Sequence, residues 1–262
     1  MNYCIIIRDN DESLKIKQEI MNRINHNYDE KNPDFVVAIG GDGTIIKASH
    51  TYPNAIIFGI HSGHLGYYAN YSSNDIDILV DDINNGSFKV ENVDLLSAEF
   101  VTKSGNIVND IALNEVTIVS PLRTLMLDIY IDNSYLERFR GTGVCISTPT
   151  GSTAYNKSLH GSVVDTKLKI MQMTEIAGIN SNAYRTLSSP LVLSSDRRIK
   201  LDLVDGHEKK NDVFITVDHI SYSLKDFKTL YIFYSNKTLK MAYHQTEDFI
   251  NRINRSFLIS KD

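Results

Sequence analysis

The 262-residue sequence holds no apolar run near the ~20 residues that cross a bilayer, and no block of basic residues. Its opening stretch, MNYCIIIRDNDESLK, has too short an apolar run for a secretory leader and no basic segment ahead of it. A formal charge of −5 and a pI near 5.9 supply no electrostatic footprint for nucleic acid or an anionic membrane. Cysteine is scarce: Cys4 and Cys145 stand far apart in apolar, strand-like runs, without a CxxC spacing or an adjacent histidine pair. That excludes a zinc site of the usual kind and fits two buried thiols in a reducing cytosol. The expectation is a cytoplasmic protein, with no nucleic acid and no membrane among its partners, that binds small molecules or other protein chains.

What is present is the composition of an ordinary globular protein, 42% hydrophobic and 23% charged. The first hundred residues alternate short apolar runs with helix-like segments: YCIIIR, Asp11 to about Asn25, DFVVAIGG, Thr44 to His50, AIIFGI, and Asp75 to Asn85. Continuous β-branched runs such as Phe35 to Ile39 suit strands buried on both faces, so an α/β region with a parallel sheet is expected. From about residue 94 the texture changes to strands punctuated by turns, with Ser104-Gly105-Asn106 and Asp132-Asn133 at hairpin positions. The second region therefore reads as β-rich and mainly antiparallel. Lys167 to Asn180 is open between helix and strand. A closing segment carries Phe249, Ile250, Ile253 and Phe257 at helical spacing, with Thr246 as candidate N-cap. If it packs back on the first region, the domains are 1–93 with 244–262, and 94–243.

Several stretches carry chemistry. Gly40-Gly41-Asp42-Gly43-Thr44 lies between a buried strand and a helix. It is either a cradle for phosphate or ribose or a tight turn in which Asp42 caps the helix. It is neither a P-loop nor the GxGxxG fingerprint. His61 to Tyr68 follows the next strand, at the end where open α/β sheets bind ligands. Tyr67 and Tyr68 offer rings for stacking or for a core, and His61 with His64 lacks an evident third metal ligand. Asn114-Glu115 interrupts the apolar pattern DIALNEVTIV, either as a buried pair needing partners or as a strand end reaching water. Ser147 to Ser158, STPTGSTAYNKS, is a hydroxyl-rich loop in which Tyr155 adds a stacking face, Asn156 an amide and Lys157 a cation. Asp218-His219 closes the run DVFITV, as an acid/base pair or a polar strand end.

Taken in order, GGDGT, GHLGYY, LNE, ERFRGTG, STPTGSTAYNKS and the late Asp218-His219 make the chain resemble the bacterial NAD kinases over nearly its whole length. GGDG alone also occurs in diacylglycerol kinases, sphingosine kinases and phosphofructokinases; STPTGSTAYN behind an upstream Asn-Glu is far more specific. The resemblance implies an α/β N-terminal domain, a β-rich C-terminal domain and an active site in the cleft between them. It implies phosphoryl transfer to NAD from ATP, another triphosphate or polyphosphate, with a divalent metal cation such as Mg²⁺ carried by the nucleotide, and a homotetramer. Residue by residue, it makes Asp42 the catalytic carboxylate with Gly43 beside it, and gives Asn114 and Glu115 a ribose to hold. Arg140, Thr142, Thr150, Thr153, Ala154, Tyr155, Asn156, Lys157 and Ser158 fall on ligand-binding positions, and Tyr67 and Tyr68 on an aromatic pair lining the pocket. Ala177 resembles the position contributed across a subunit interface, and His219 one near the nucleotide.

Two departures stand out. Thr142 occupies a place where the family usually has an acidic residue, and His160-Gly161-Ser162 replaces a run that usually begins with a glycine pair. Two rivals remain at this level: a lipid kinase sharing GGDGT, for which the composition shows no membrane-binding surface, and a non-catalytic dinucleotide-binding paralogue.

Overall fold

A computed structural model describes residues 1–62, 66–204, 212–223, 227–245 and 247–258. The contacts divide the chain into two compact units, Met1–Val93 with Thr238–Asp262, and Asp94–Lys237.

The first unit runs β1 (Asn2–Ile7), α1 (Asp11–Met21), β2 (Asn27–Tyr28), β3 (Phe35–Gly40), α2 (Asp42–Thr51), β4 (Ile56–His61), β5 (Tyr71–Ser72) and α3 (Ile76–Asn85). β1, β3 and β4 pair in parallel, with β2 beside β1, β5 beside the end of β4, and the returning Lys240–Ala242 along its start. The return comes at Thr238 rather than residue 244 because Lys240–Ala242 align with Ile56–Phe58 as one more parallel strand. Every residue of β3 is buried, which is why its sequence is a continuous apolar run with no alternation. Helix α1 is N-capped by Asn10, whose side chain accepts from the Ser13 N–H at 2.8 Å, and it buries Ile16 and Ile20. It stops at Met21, short of Asn25. Helix α3 buries Leu79, Val80 and Ile83 and ends at Gly86, whose left-handed φ of 67° suits a residue without Cβ.

The second unit begins within β6 (Lys89–Thr102) and continues through β7 (Ile107–Ala112), β8 (Glu115–Val119), β9 (Leu125–Ile131), β10 (Ser134–Gly141) and β11 (Gly143–Ser147). A 3₁₀ turn (Thr150–Thr153) and the single-turn α4 (Tyr155–Ser158) follow. Then come β12 (Ile170–Ile176), β13 (Leu191–Ser194), β14 (Arg198–Leu203), β15 (Phe214–Val217), β16 (Ile220–Ser223) and β17 (Phe227–Tyr243), whose last residues belong to the first unit. The ambiguous Lys167 to Asn180 stretch thus contains a strand. Gly105 (φ 83°) turns the β6–β7 hairpin and Asp132 (φ 56°) the β9–β10 hairpin, where the sequence placed turns.

One sheet has the order β13-β12-β11-β8-β15-β16, and β10-β9-β14-β17 forms the other face of the core. The two bury a shared cluster including Val116, Ile118, Val144, Ile146, Met171, Met173, Ile215 and Val217 from the first sheet and Leu127, Ile129, Phe139, Ile199, Leu201 and Leu230 from the second. Along β8, β11 and β12 the alternate residues are Glu115, Thr117, Cys145, Ser147, Gln172 and Thr174, brought opposite one another by the antiparallel register. One face of this sheet is therefore core and the reverse face polar.

The chain closes with α5 (Phe249–Ile253) and a π-helical turn, Asn254–Leu258. Its N-cap is Asp248, whose carboxylate accepts from the Ile250 N–H at 2.9 Å. Thr246, the residue expected in that role, lies outside the described residues, and Asp248 stands directly before the first helical residue, where an N-cap must be.

Candidate functional site

In the first unit, Gly41 precedes α2 without a side-chain cap, and Asp42 is the first helical residue. Its carboxylate turns to the loop after β4: Oδ2 accepts from the Tyr67 N–H at 2.8 Å and Oδ1 from the Tyr68 N–H at 2.9 Å. Asp42 is thus not a helix cap. A Cβ on Gly66 would stand 2.4 Å from Asp42 Oδ1, so glycine there is what lets the loop close on the carboxylate. At Gly43 nothing among the described residues lies within 4 Å of an added Cβ. The rings of Tyr67 and Tyr68 are buried and meet edge to face at 5.5 Å, so within this unit the pair presents amides to Asp42 and rings to the core. His64 lies outside the described residues; among those described, no group of three or more His, Cys, Asp or Glu stands together as a metal site.

In the second unit, Asn114-Glu115 and the Ser147 to Ser158 stretch come together. Thr148 donates its backbone N–H to Asn114 O at 2.9 Å and its hydroxyl to Leu113 O at 2.7 Å, and accepts from the Gly151 N–H at 2.8 Å. A Cβ on Gly151 would fall 2.0 Å from Asn114 O, which requires glycine at the crossing. The stretch read as a loop is this 3₁₀ turn followed by α4, because its hydroxyls, such as Ser152 and Thr153, bond back to carbonyls three residues earlier.

Asp218, in the left-handed region at φ 52°, accepts from three consecutive amides, Leu113 (2.8 Å), Asn114 (2.8 Å) and Glu115 (3.1 Å). It fixes the backbone that aims Asn114 and Glu115. Both side chains are withdrawn from water rather than lying at an open strand end. Burial, with Asp218 nearby, pushes the Glu115 carboxyl up to about 8, against one hydrogen bond from the Tyr155 backbone. Asn156 is fully buried and accepts at Oδ1 from the Thr174 hydroxyl at 2.7 Å. Three atoms of this polar face, Glu115 Oε2, Ser147 Oγ and Asn156 Nδ2, are buried without a hydrogen-bond partner among the described residues. Such orphans are costly in a native structure, and the set offers acceptor and donor capacity to hydroxyls of a ligand.

Around this group, Tyr155, Lys157 and Ser158 are exposed on α4, with Thr150 buried and Thr153 and Ala154 half-buried in the turn before it. His219, beside Asp218, is exposed. Arg140 lays its guanidinium 3.5 Å from the Tyr184 ring centroid, and its carbonyl accepts from the Ile179 N–H at 2.7 Å. Thr142 bonds through its backbone to Ile176 and Ser120. Ala177 is exposed, with φ 48°. The sequence reading missed Asp218 as the residue that holds the Asn-Glu backbone, and Thr174 and Tyr184 altogether. Only Asp218 left a local signal, as a carboxylate closing an apolar strand.

Comparison with known proteins bears on both units. Residues 5–88 match the ATP-NAD kinase N-terminal domain and residues 113–242 the ATP-NAD kinase C-terminal domain. The NAD kinase of Limosilactobacillus reuteri is 40% identical over 253 residues, covering 93% of this chain and 92% of that protein. The NAD kinase of Staphylococcus aureus is 34% identical over 273 positions, covering 100% and 99%. Among solved structures, a yeast NADH kinase complexed with NADH superposes with a TM-score of 0.86 at 21% identity, covering 100% of this chain and 89% of that one. An NAD kinase from Archaeoglobus fulgidus in complex with ATP gives 0.76 at 22%, covering 97% and 99%. At those identities the two structures speak to the fold, an α/β N-terminal domain followed by a β-rich C-terminal one. The class so defined is a phosphotransferase. The chain belongs to the NAD kinase family. Among the described residues no helix is long and apolar enough to cross a membrane.

Proposed function

We propose that this protein transfers the terminal phosphoryl group of ATP, or of polyphosphate, to the 2′-hydroxyl of the adenosine ribose of NAD, yielding NADP. The observation that carries the reading is the buried Glu115 Oε2, which with Asn156 Nδ2 and Ser147 Oγ finds no hydrogen-bond partner among the described residues, on a backbone held by Asp218. A ribose presents hydroxyls that both donate and accept, and it satisfies such atoms without adding charge. Asn114 and Glu115 take that ribose. Arg140, Thr142, Thr150, Thr153, Ala154, Tyr155, Asn156, Lys157 and Ser158 complete the dinucleotide site. Ala177, carried outward by its left-handed backbone, serves a neighbouring subunit of a homotetramer, and His219 stands near the nucleotide.

Asp42 is the catalytic carboxylate. A carboxylate is far too weak a base to ionise a ribose hydroxyl beforehand. It orients the 2′-hydroxyl and takes its proton late, as the new P–O bond forms and the bond to the leaving group, ADP or the shortened polyphosphate, breaks in a loose transition state. The two amides from Tyr67 and Tyr68 occupy two of the roughly four acceptor sites of the carboxylate. The remainder suit a hydroxyl proton or the hydration shell of a divalent cation. A divalent cation such as Mg²⁺, brought by the nucleotide, would neutralise charge on the phosphates. The protein works in the cytoplasm.

The test is incubation with NAD, ATP and Mg²⁺, followed by an NADP-specific enzymatic assay, with Asp42→Asn alongside. Wild type is expected to form NADP, and the variant to fold and bind NAD but lose nearly all turnover. Full activity in Asp42→Asn removes the catalytic assignment.

A further inference from the structure

The loop that seats Asp42 is itself held by the C-terminal segment. Arg255, in the π-helical turn, donates from Nη1 to Gly66 O at 3.1 Å and makes a longer contact from Nη2 to Ala69 O at 3.5 Å. Its Nε is fixed by both oxygens of Glu247, each at 2.7 Å, and its side chain is only 19% exposed. Nearby, the buried Arg252 places its guanidinium 5.4 Å from the Tyr67 ring centroid, and Phe257 approaches the same ring at 6.5 Å.

The Gly66 carbonyl and the Tyr67 N–H are the two ends of one peptide unit. In a trans peptide they point in opposite directions, so a cation grips one end while the other end donates to Asp42 Oδ2. Hydrogen bonds linked in series polarise one another by about 10–30% per bond. A guanidinium on the carbonyl makes the amide beyond it a stronger donor, and it fixes the plane of that amide. The Glu247 carboxylate, sharing the Nε–H between its two oxygens, limits the rotational freedom that a lone arginine retains.

We infer that Arg255 is a positioning residue for phosphoryl transfer, acting through the Gly66–Tyr67 peptide to hold and polarise the amide that orients Asp42. The inference rests on Asp42 being the catalytic carboxylate. Arg255 reaches Asp42 only through the Gly66–Tyr67 peptide, so its loss is expected in turnover rather than in NAD affinity.

The experiment measures kcat, KM for NAD and thermal midpoint for the full-length wild type, Arg255→Ala, Glu247→Gln and Asp42→Asn. Expected for Arg255→Ala is a kcat at least tenfold lower, a KM for NAD within twofold of wild type, and recovery of several-fold in kcat on adding millimolar guanidinium, which leaves wild type unchanged. Glu247→Gln is expected to lose a few-fold in kcat, again at unchanged KM. A kcat within twofold of wild type in Arg255→Ala overturns the inference; so does a loss that guanidinium does not relieve, or one matched by a rise in KM. Should Arg255→Ala fail to fold, Glu247→Gln decides, an unchanged kcat overturning the inference. If Asp42→Asn is dead while Arg255→Ala is unimpaired, only this inference falls; if Asp42→Asn is fully active, both readings fall.

Discussion

Ser147 stands directly across the β8–β11 ladder from Glu115, and each ends in a buried oxygen that no group among the described residues satisfies. Opposite partners in an antiparallel pair project from the same face, so the register alone sets two unsatisfied oxygens side by side. A folded chain tolerates this arrangement poorly unless something else completes it.

The Glu115 carboxyl gives this arrangement a pH signature. Its value of about 8 in the folded chain lies above the ~4.3 of an unfolded glutamate, so between those values the folded state holds the extra proton. Stability from this group is fully present below the lower value and is lost as pH rises through the upper one, with a slope of at most about 1.4 kcal/mol per pH unit. Glu137, pushed up to about 7 mainly by burial, has the same sign but is spent by pH 7. Denaturant titrations of the ligand-free protein should therefore show a residual fall between pH 7 and 8 that Glu115→Gln flattens. An equally steep fall in the variant would place the titrating group elsewhere.

Gly66→Ala should strike Asp42 without entering the core. The added methyl carbon meets Asp42 Oδ1 at 2.4 Å and Cγ at 2.8 Å, and the carboxylate, the mobile partner, gives way. It then leaves the Tyr67 and Tyr68 amides. NADP formation should fall at least tenfold with little change in thermal midpoint or in NAD binding by calorimetry. Unimpaired turnover would mean that those two amides are dispensable.

His160 occupies a left-handed backbone at φ 61°, where the NAD kinase pattern usually has glycine. That conformation costs a residue with a Cβ roughly 1–2 kcal/mol, partly offset by the freedom glycine loses on folding. His160→Gly should thus raise unfolding free energy by up to about 1 kcal/mol. The measurement is a urea midpoint at unchanged slope. A lowered midpoint would show that the imidazole makes a contact worth more than the strain.

Much of this was legible beforehand, and the exceptions share a cause. Phe35 to Ile39 announced a buried parallel strand because burial on both faces needs no alternation, and Ser104-Gly105-Asn106 announced a hairpin because glycine tolerates the turn. Asn-Glu and STPTGSTAYN were legible as motifs. Their joining through Thr148 and Gly151 was not, since it links residues more than thirty positions apart. Asp218 reaches amides 103 to 105 residues away and Arg255 a carbonyl 189 residues away. Local pattern carries no trace of such pairings. Helix ends were the other weak point: α1 stops at Met21 although polar residues beyond it are compatible with helix, and α5 starts behind Asp248.

The parallel partner of β4 along Ile56–Phe58 is supplied by Lys240–Ala242, nearly two hundred residues later. On the ribosome, that edge is synthesised long before its partner leaves the exit tunnel. The intervening Asp94–Lys237 unit has all its residues available first. Until the last strand arrives, the start of β4 is a nascent edge with apolar side chains and unpaired backbone groups, open to pairing with other chains. A stalled or truncated translation product ending before residue 240 would carry this edge permanently.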